Sequence, residues 1–258
     1  MRAPPKAELN IDGHVTPAAR SSSSCAQVSD DGFRRHVHIL HQHEGVFDRA
    51  GLRMNAVDLA LVLAVDGSAS VTYDEFGLIA GGMAAALREP PIIAGLIGGP
   101  AKASLCSLLL WSGAGAQEVI ADWTLIASEA DAHAFADAVD NMPRIVPAGQ
   151  TAIGEALLAS LTLLSHIPDT PARQVVNVIG DGRSNDGIAP GPIRDRMAAA
   201  GVTINGLCIL HEEPDLLQSY TRDVIGGPGA FALTCQDYPA FAAAMKQKLA
   251  REINAPIV

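Results

Sequence analysis

Five oxygen-bearing side chains carry the clearest chemical signal in the chain. Asp66, Ser68 and Ser70 stand in Asp66-Gly67-Ser68-Ala69-Ser70, directly after the apolar run Leu61 to Val65. A buried strand delivers the acid to the end of a sheet, and the turn that follows presents an acid and two hydroxyls to one side. Thr151, in Gly149-Gln150-Thr151-Ala152-Ile153-Gly154, and Asp181, in Val178-Ile179-Gly180-Asp181-Gly182, repeat the same logic downstream. Hard oxygen donors with few charges suit Mg²⁺ or Mn²⁺, and a hydroxyl-rich set with few acids leans away from Ca²⁺.

The elements that must position these residues follow from periodicity. Val57 to Asp66 is near-continuously apolar, as a strand buried on both faces is. Thr72 and Glu75 form a T-x-x-E capping box, and Phe76, Ile79, Ala80, Met83 and Leu87 follow at helical spacing until Pro90-Pro91 stops the helix. Residues 92 to 103 read as irregular. Leu105 to Trp111 and Gln117 to Ile126 read as strands two and three, close enough for an antiparallel edge hairpin. Helices are expected over Ala130 to Met142 and Thr151 to Ser165, then strand four over Arg173 to Gly180. A helix over Pro190 to Ala200 and strand five over Val202 to Leu210 come next. A helix over Pro214 to Val224, strand six over Ala230 to Thr234 and a last helix capped by Asp237 complete the pattern. Such alternation predicts an α/β fold, doubly wound, with a mostly parallel six-stranded sheet, one antiparallel edge strand and helices on both faces. Right-handed crossovers place strand one centrally with strand four beside it. Asp66 and Asp181 then share the carboxyl edge of the sheet, where ligands bind in such folds, and Thr151 begins the helix leading into strand four.

In order and in context, the D-x-S-x-S element, the threonine and the second aspartate resemble the metal-ion-dependent adhesion site (MIDAS) of von Willebrand factor A domains. The resemblance covers about Val57 to Ile253. It implies that Ser68, Ser70 and Thr151 hold the ion directly, that Asp66 and Asp181 act directly or through water, and that a protein partner's carboxylate fills an open position. Ala69 departs from the usual glycine between the serines without removing a ligand. Within this superfamily the chain is most similar to the bacterial DUF1194 group, through Val57 to Asp66, Trp111-Ser112-Gly113, Thr151 to Gly154, Ile204 to Leu207 and Val224 to Phe231. That closer likeness adds no function. The expected role is divalent-metal-dependent protein binding. Two other readings stand beside it: an assembly module that uses its helical faces independently of metal, and a Mg²⁺-dependent phosphoester hydrolase with His211 as base. Around Asp181, Asn185 and Asp186 either shape the site, contact a partner or simply form a polar turn. Arg183 either pairs with an incoming carboxylate or neutralises the acids.

Composition bounds these readings. Of 258 residues, 48% are hydrophobic but only 4% aromatic, so the core must be built from Ala, Leu, Val and Ile. A net charge of -10 argues against nucleic acid as a partner. No dinucleotide glycine fingerprint, Walker A loop or nucleophile elbow is present, and no Cys or His spacing suits structural zinc. Cys208 and Cys235 end two strands and read as buried free thiols, with a disulfide as the alternative. No apolar run is long enough to span a membrane. Residues 1–54, with the run Ser21 to Ser24 and a histidine tract between His36 and His43, read as a mostly disordered segment before a folded domain over 55–258. With no apolar leader core, the chain as written reads as cytoplasmic; a different true N-terminus would make it periplasmic or secreted, as relatives often are. The oligomeric state is left open.

Overall fold

The computed structural model describes residues 56–167 and 171–254; the serine run and the histidine tract lie outside them. Every residue of β1 (Leu59–Asp66) and β2 (Ser104–Trp111) is buried. Alternate side chains of β1 feed two separate cores. Leu59, Leu61, Leu63 and Val65 pack with one set of helices; Ala60, Val62 and Ala64 pack with the other. That is the period of two expected for a strand covered on both faces.

The six strands run in the order β3-β2-β1-β4-β5-β6. β1 lies between β2 and β4 (Arg173–Gly180), parallel to both, and β5 (Thr203–Ile209) and β6 (Ala232–Cys235) continue the parallel array. β3 (Gln117–Ile126) alone pairs antiparallel, with β2 at the edge. The sheet is therefore the one the sequence pattern predicts, with β1 central and β4 beside it.

On one face lie α1 (Tyr73–Leu87), α2 (Pro90–Leu96), α3 (Glu129–Asp140) and α7 (Phe241–Ile253); on the other lie α4 (Ile153–Ser165), α5 (Pro190–Ala199) and the short α6 (Leu216–Ser219). The capping box of α1 is formed: the Thr72 N–H donates to Glu75 Oε2 at 2.8 Å and the Glu75 N–H to Thr72 Oγ1 at 3.3 Å. This fixes where the helix starts, with its N-cap two residues after Ser70.

Several local expectations are corrected. Pro90-Pro91 does not merely stop α1; it opens α2, because a proline in the first helical turn forfeits no intrahelical bond. Residues 214–224 are not one helix. After the single turn of α6, Tyr220–Val224 widens into a π turn, and the Tyr220 ring packs so closely on Gly206 of β5 that a Cβ there would lie 2.6 Å from it. Asp237 is not the N-cap of α7, which is Ala240; Asp237 instead accepts the Ala240 N–H at 2.9 Å in the preceding turn. Trp111 is fully buried, whereas Trp123 is half-buried and donates its indole N–H to the Leu163 carbonyl at 3.1 Å.

Cys106, Cys208 and Cys235 are free and buried. Cys208 and Cys235 belong to opposite cores, on opposite faces of the sheet, so their neighbouring strands do not bring the two sulfurs together. Gly226 to Gly229 forms a backbone turn into β6. Gly227 has φ +90, and a Cβ there would lie 2.1 Å from the Val202 carbonyl oxygen.

Candidate metal site at the carboxyl edge of the sheet

β1 ends at Asp66 and β4 at Gly180, immediately before Asp181. Side by side, the two strands bring both acids to one edge. Asp66 is 0% exposed and Asp181 1%. The turn after Asp66 folds back on it: the Ser68 N–H donates to Asp66 Oδ1 at 2.7 Å. The Ser68 and Ser70 hydroxyls lie 3.1 Å apart, and the Ser70 hydroxyl donates to Asp181 Oδ1 at 2.8 Å. Ala69 is exposed, takes no left-handed backbone angle and donates its N–H to the Gly149 carbonyl at 2.8 Å, so alanine fits the turn without strain.

Thr151 arrives from the loop before α4. The Gly149 N–H donates to Ser112 Oγ at 2.9 Å and the Ala152 N–H to the Ser112 carbonyl at 3.0 Å, which docks this loop on the end of β2. Asn185 fixes Thr151 itself. Its Oδ1 accepts the Thr151 N–H at 2.9 Å, and its own N–H donates to the Thr151 carbonyl at 3.0 Å. The Thr151 hydroxyl faces Gly182, where a Cβ would lie 3.5 Å from it. Thus Ser68, Ser70 and Asp181 form one hydrogen-bonded chain with Asp66 beneath, while Thr151 borders it without a hydrogen bond of its hydroxyl to the other four. Asn185 shapes the site, and Asp186 ties its loop to the β2–β3 turn by accepting the Ala114 N–H at 2.8 Å. Arg183 is spoken for by Glu213, with Nε–Oε2 at 2.5 Å.

The geometry adds residues that no motif exposes. The Tyr238 hydroxyl, from the turn before α7, donates to Asp181 Oδ2 at 2.7 Å. Both oxygens of Asp181 are therefore engaged by hydroxyls. His211 is exposed and lies edge-on to Tyr238, with ring centroids 6.0 Å apart. Arg144 Nη2 donates to the carbonyls of Gly67 at 3.1 Å and Ser68 at 2.8 Å, bracing the turn from outside. Glu155, in the first turn of α4, accepts the Ile188 N–H at 3.0 Å and so anchors the far end of the Asp181 loop. The nearby Gly187, at φ +65, leaves no room for a Cβ against that carboxylate.

Asp66 is the anomaly. Its Oδ2 is buried without a hydrogen-bond partner. It packs against Gly180, where a Cβ would sit 2.9 Å from both Oδ2 and the Tyr220 hydroxyl, itself also without a partner. Burial, with Asp181 adding like-charge repulsion, pushes the Asp66 carboxyl up to about 7. A buried carboxylate with an orphaned oxygen, at the head of a turn that carries two hydroxyls bonded on to a second acid, offers the donor types that a hard cation takes. Among the described residues no group of three or more His, Cys, Asp or Glu is placed to hold a metal, so an ion here would rely on hydroxyls and water for the rest of its shell. The residues present fit such an ion.

The raised Asp66 value makes stability depend on pH with a definite sign. Folding takes this carboxyl from its ordinary value of 3.8 to about 7. Between those values the native state binds more protons than the unfolded chain, so this group's contribution falls as pH rises through the window, by up to ~1.4 kcal/mol per unit. Ion-free protein should therefore melt at higher temperature near pH 5 than near pH 7.5. Added Mg²⁺ should stabilise it at pH 7.5 and much less at pH 5. Scanning calorimetry at the two pH values, with and without Mg²⁺, checks this; a Mg²⁺ effect equal at both would reject it.

Comparisons with known proteins set this geometry in context. The family model described as "Protein of unknown function (DUF1194)" matches residues 56–257. No curated protein matches the chain. Among solved structures, the von Willebrand factor type A protein from Catenulispora acidiphila is 16% identical, with TM-score 0.53, and the match covers 77% of this chain and 43% of that one. Proximal thread matrix protein 1 from the mussel byssus, in a structure titled as having a zinc-occupied MIDAS motif, is 18% identical, with TM-score 0.54, over 77% of this chain and 46% of that one. The von Willebrand factor domain of the type V pilus tip protein Mfa5 from Porphyromonas gingivalis is 11% identical, with TM-score 0.54, over 79% of this chain and 97% of that one. The chain spans less than half the length of the first two. These likenesses establish the fold as that of a von Willebrand factor A domain.

Proposed function

The chain belongs to the DUF1194 family, and on its von Willebrand A-like fold we propose a divalent-cation-dependent module that binds an acidic group of a protein partner. The observation that carries this reading is the buried Asp66 carboxylate with an unpartnered oxygen, set beside the Ser68–Ser70–Asp181 chain. Asp66, Ser68, Ser70, Thr151 and Asp181 would hold the ion, Mg²⁺ or Mn²⁺. When bound, the ion supplies a positive centre with exchangeable positions that an incoming carboxylate can occupy.

The chain's own residues prepare that event. Burial keeps Asp66 poorly solvated, so a cation that neutralises it is favoured more strongly than at a hydrated carboxylate. Tyr238 and Ser70 hold Asp181 still, and Asn185 holds the backbone of Thr151. Three hydroxyls contribute no charge, so two acids balance a divalent ion without surplus and leave it receptive to a further anion. Binding, rather than catalysis, also accords with His211. It is exposed and lies against Tyr238, with no hydrogen bond to the five residues.

Isothermal titration of metal-stripped protein with Mg²⁺ and Mn²⁺ tests the proposal. One saturable site is expected, and Ser68→Ala/Ser70→Ala should weaken it by roughly 10–100-fold, the range seen when a metal site's supporting groups are lost. Unchanged affinity in the folded double variant would remove the hydroxyls from the site. Partner binding that survives chelation would shift the interaction to the helical faces. Among the described residues no helix is long and apolar enough to cross a membrane. A periplasmic or secreted setting belongs to the same proposal, as an adhesion-type module would act there.

A further inference from the structure

Beside the proposed ion site stands an unusual ledge. Arg144 lies with its guanidinium carbon 5.1 Å from the Tyr73 ring centroid and 5.8 Å from that of Phe76. Its Nη2 is held by the carbonyls of Gly67 and Ser68, so the group is fixed within the turn that carries Ser68 and Ser70. Other arginines of the domain have acidic partners: Arg183 has Glu213, Arg194 has Asp195 and Arg222 has Asp223. Among the described residues no carboxylate forms an ion pair with Arg144. Of the two acids on the first turn of the adjoining helix, Glu75 is committed to capping Thr72 and Asp74 forms no ion pair with Arg144. Tyr73 is 78% exposed and Ile145 53%, high values for large apolar residues, and both adjoin Arg144.

A stacked guanidinium held on one edge by backbone carbonyls keeps its positive charge and has its remaining N–H groups to offer to an anion. On a chain with net charge -10, an unpaired cation beside an acid-lined cation site is a local reversal of sign. Sign complementarity across an interface selects partners and fixes register more than it adds raw affinity. The exposed tyrosine supplies an apolar surface with a polar tip, the residue type enriched where interfaces concentrate their energy.

Resting on the proposed function, we infer that Arg144 and Tyr73 form the specificity ledge of the site, and that the partner is an extended acidic segment. One carboxylate of that segment reaches the ion; a second, within a few residues of it, pairs with Arg144, while an apolar side chain covers Tyr73. Arg144 and Tyr73 thus determine which acidic segments are accepted, and the five oxygen-bearing residues determine that an acid is needed at all.

The test uses the full chain loaded with Mg²⁺ and a display library of random nine-residue segments, eluted with EDTA. The expected winners carry at least two acidic residues and an aromatic or aliphatic one. Arg144→Gln and Tyr73→Ala should each weaken them roughly three- to ten-fold, the scale of a rim charge pair or an exposed aromatic contact, while Arg196→Gln on the exposed face of α5 changes nothing. Titration of Arg144→Gln with Mg²⁺ alone reads any damage to the turn that Arg144 braces, and the ledge requires this variant's segment affinity to fall further than its ion affinity. EDTA-eluted segments with a single acid, bound equally by Arg144→Gln and Tyr73→Ala, overturn the ledge and leave the ion-dependent reading standing. A library that yields no EDTA-sensitive segment overturns that reading and the ledge with it. Equal loss of ion and segment affinity in Arg144→Gln, with Tyr73→Ala unaffected, reduces Arg144 to a brace for the turn and also overturns the ledge.

Discussion

Replacing Asp66 with asparagine is expected to cost at least about a hundred-fold in Mg²⁺ affinity and, at the same time, to raise the melting temperature of the ion-free protein at pH 7.5. The two effects share one cause. Asparagine keeps an oxygen for the Ser68 N–H, now 2.7 Å from Asp66 Oδ1, and keeps the shape of the side chain. It removes only the charge. With ion present, that charge is the main attraction; without ion, it is a buried anion whose second oxygen has no partner and whose neighbour is Asp181. At pH 7.5, above the value of about 7 toward which burial pushes this carboxyl, most molecules carry the penalty. The gain from relieving it, set against the amide's own unmet hydrogen bonds, is about 1 kcal/mol, or ~2–4 °C for a domain of this size. Asp66→Ala should lose the ion equally but also strip the Ser68 N–H of its acceptor, so it reports on affinity and not on the relief of charge. Calorimetric titration and melting of the asparagine variant decide the matter. Affinity within a few-fold of wild type would take Asp66 out of the site, and a melting temperature lowered in ion-free buffer would mean that the carboxylate is well solvated or paired in the native state.

How much of this was legible in the sequence depends on how far each signal reaches along the chain. The run into Asp66 declares a central strand because both faces of β1 are covered, and a doubly covered strand has to be apolar throughout. The Thr72–Glu75 box is legible because its two bonds span three residues. The motif that suggests Asp66, Ser68, Ser70, Thr151 and Asp181 is visible because three loops at one sheet edge keep their order. Tyr238 and Arg144 carry no such mark. Each meets the site only through three-dimensional convergence, Tyr238 across 57 residues and Arg144 across 76. Pro90-Pro91 misleads because the same residue that ends one helix is welcome in the first turn of the next. The π turn at Tyr220 leaves no trace, since helical periodicity over so few residues does not distinguish ring sizes.

Lys248 and Glu252 stand i, i+4 in α7; Lys248 is 0% exposed and Glu252 2%, and the ammonium donates to Glu252 Oε1. The carboxylate also accepts Asn205 Nδ2 at 2.9 Å and Asn177 Nδ2 at 3.3 Å. Asn177 and Asn205 are register partners on β4 and β5, on the face that α7 covers, so one glutamate joins the helix to two strands. Glu252→Ala should therefore be the most damaging single change to stability. It strands a buried ammonium and two amides, a loss of about 3–5 kcal/mol, or roughly 10 °C. Burial already pulls the Lys248 value down while Glu252 holds it up. Without Glu252 the native state sheds this proton more readily than the unfolded chain, so the variant's deficit should shrink as pH rises. Lys248→Met/Glu252→Leu should recover only the part of the loss due to the ammonium, because a packed apolar pair replaces a charge that needs a partner while the Asn177 and Asn205 amides still lack their acceptor. Denaturant unfolding of the three variants at pH 7 and 9 checks this. A single variant costing under about 1 kcal/mol would mean that the pair is hydrated after all. Arg173, which donates to the carbonyls of Glu252 and Ile253, still ties the end of α7 to β4 in every variant. The network also lies toward the edge of the sheet opposite Asp66. Mg²⁺ affinity measured well below the melting temperature should accordingly stay within about two-fold of wild type, as distant, unshared sites behave. A parallel collapse of ion binding would show instead that α7, through Tyr238 and Asp181, transmits its position to the ion site.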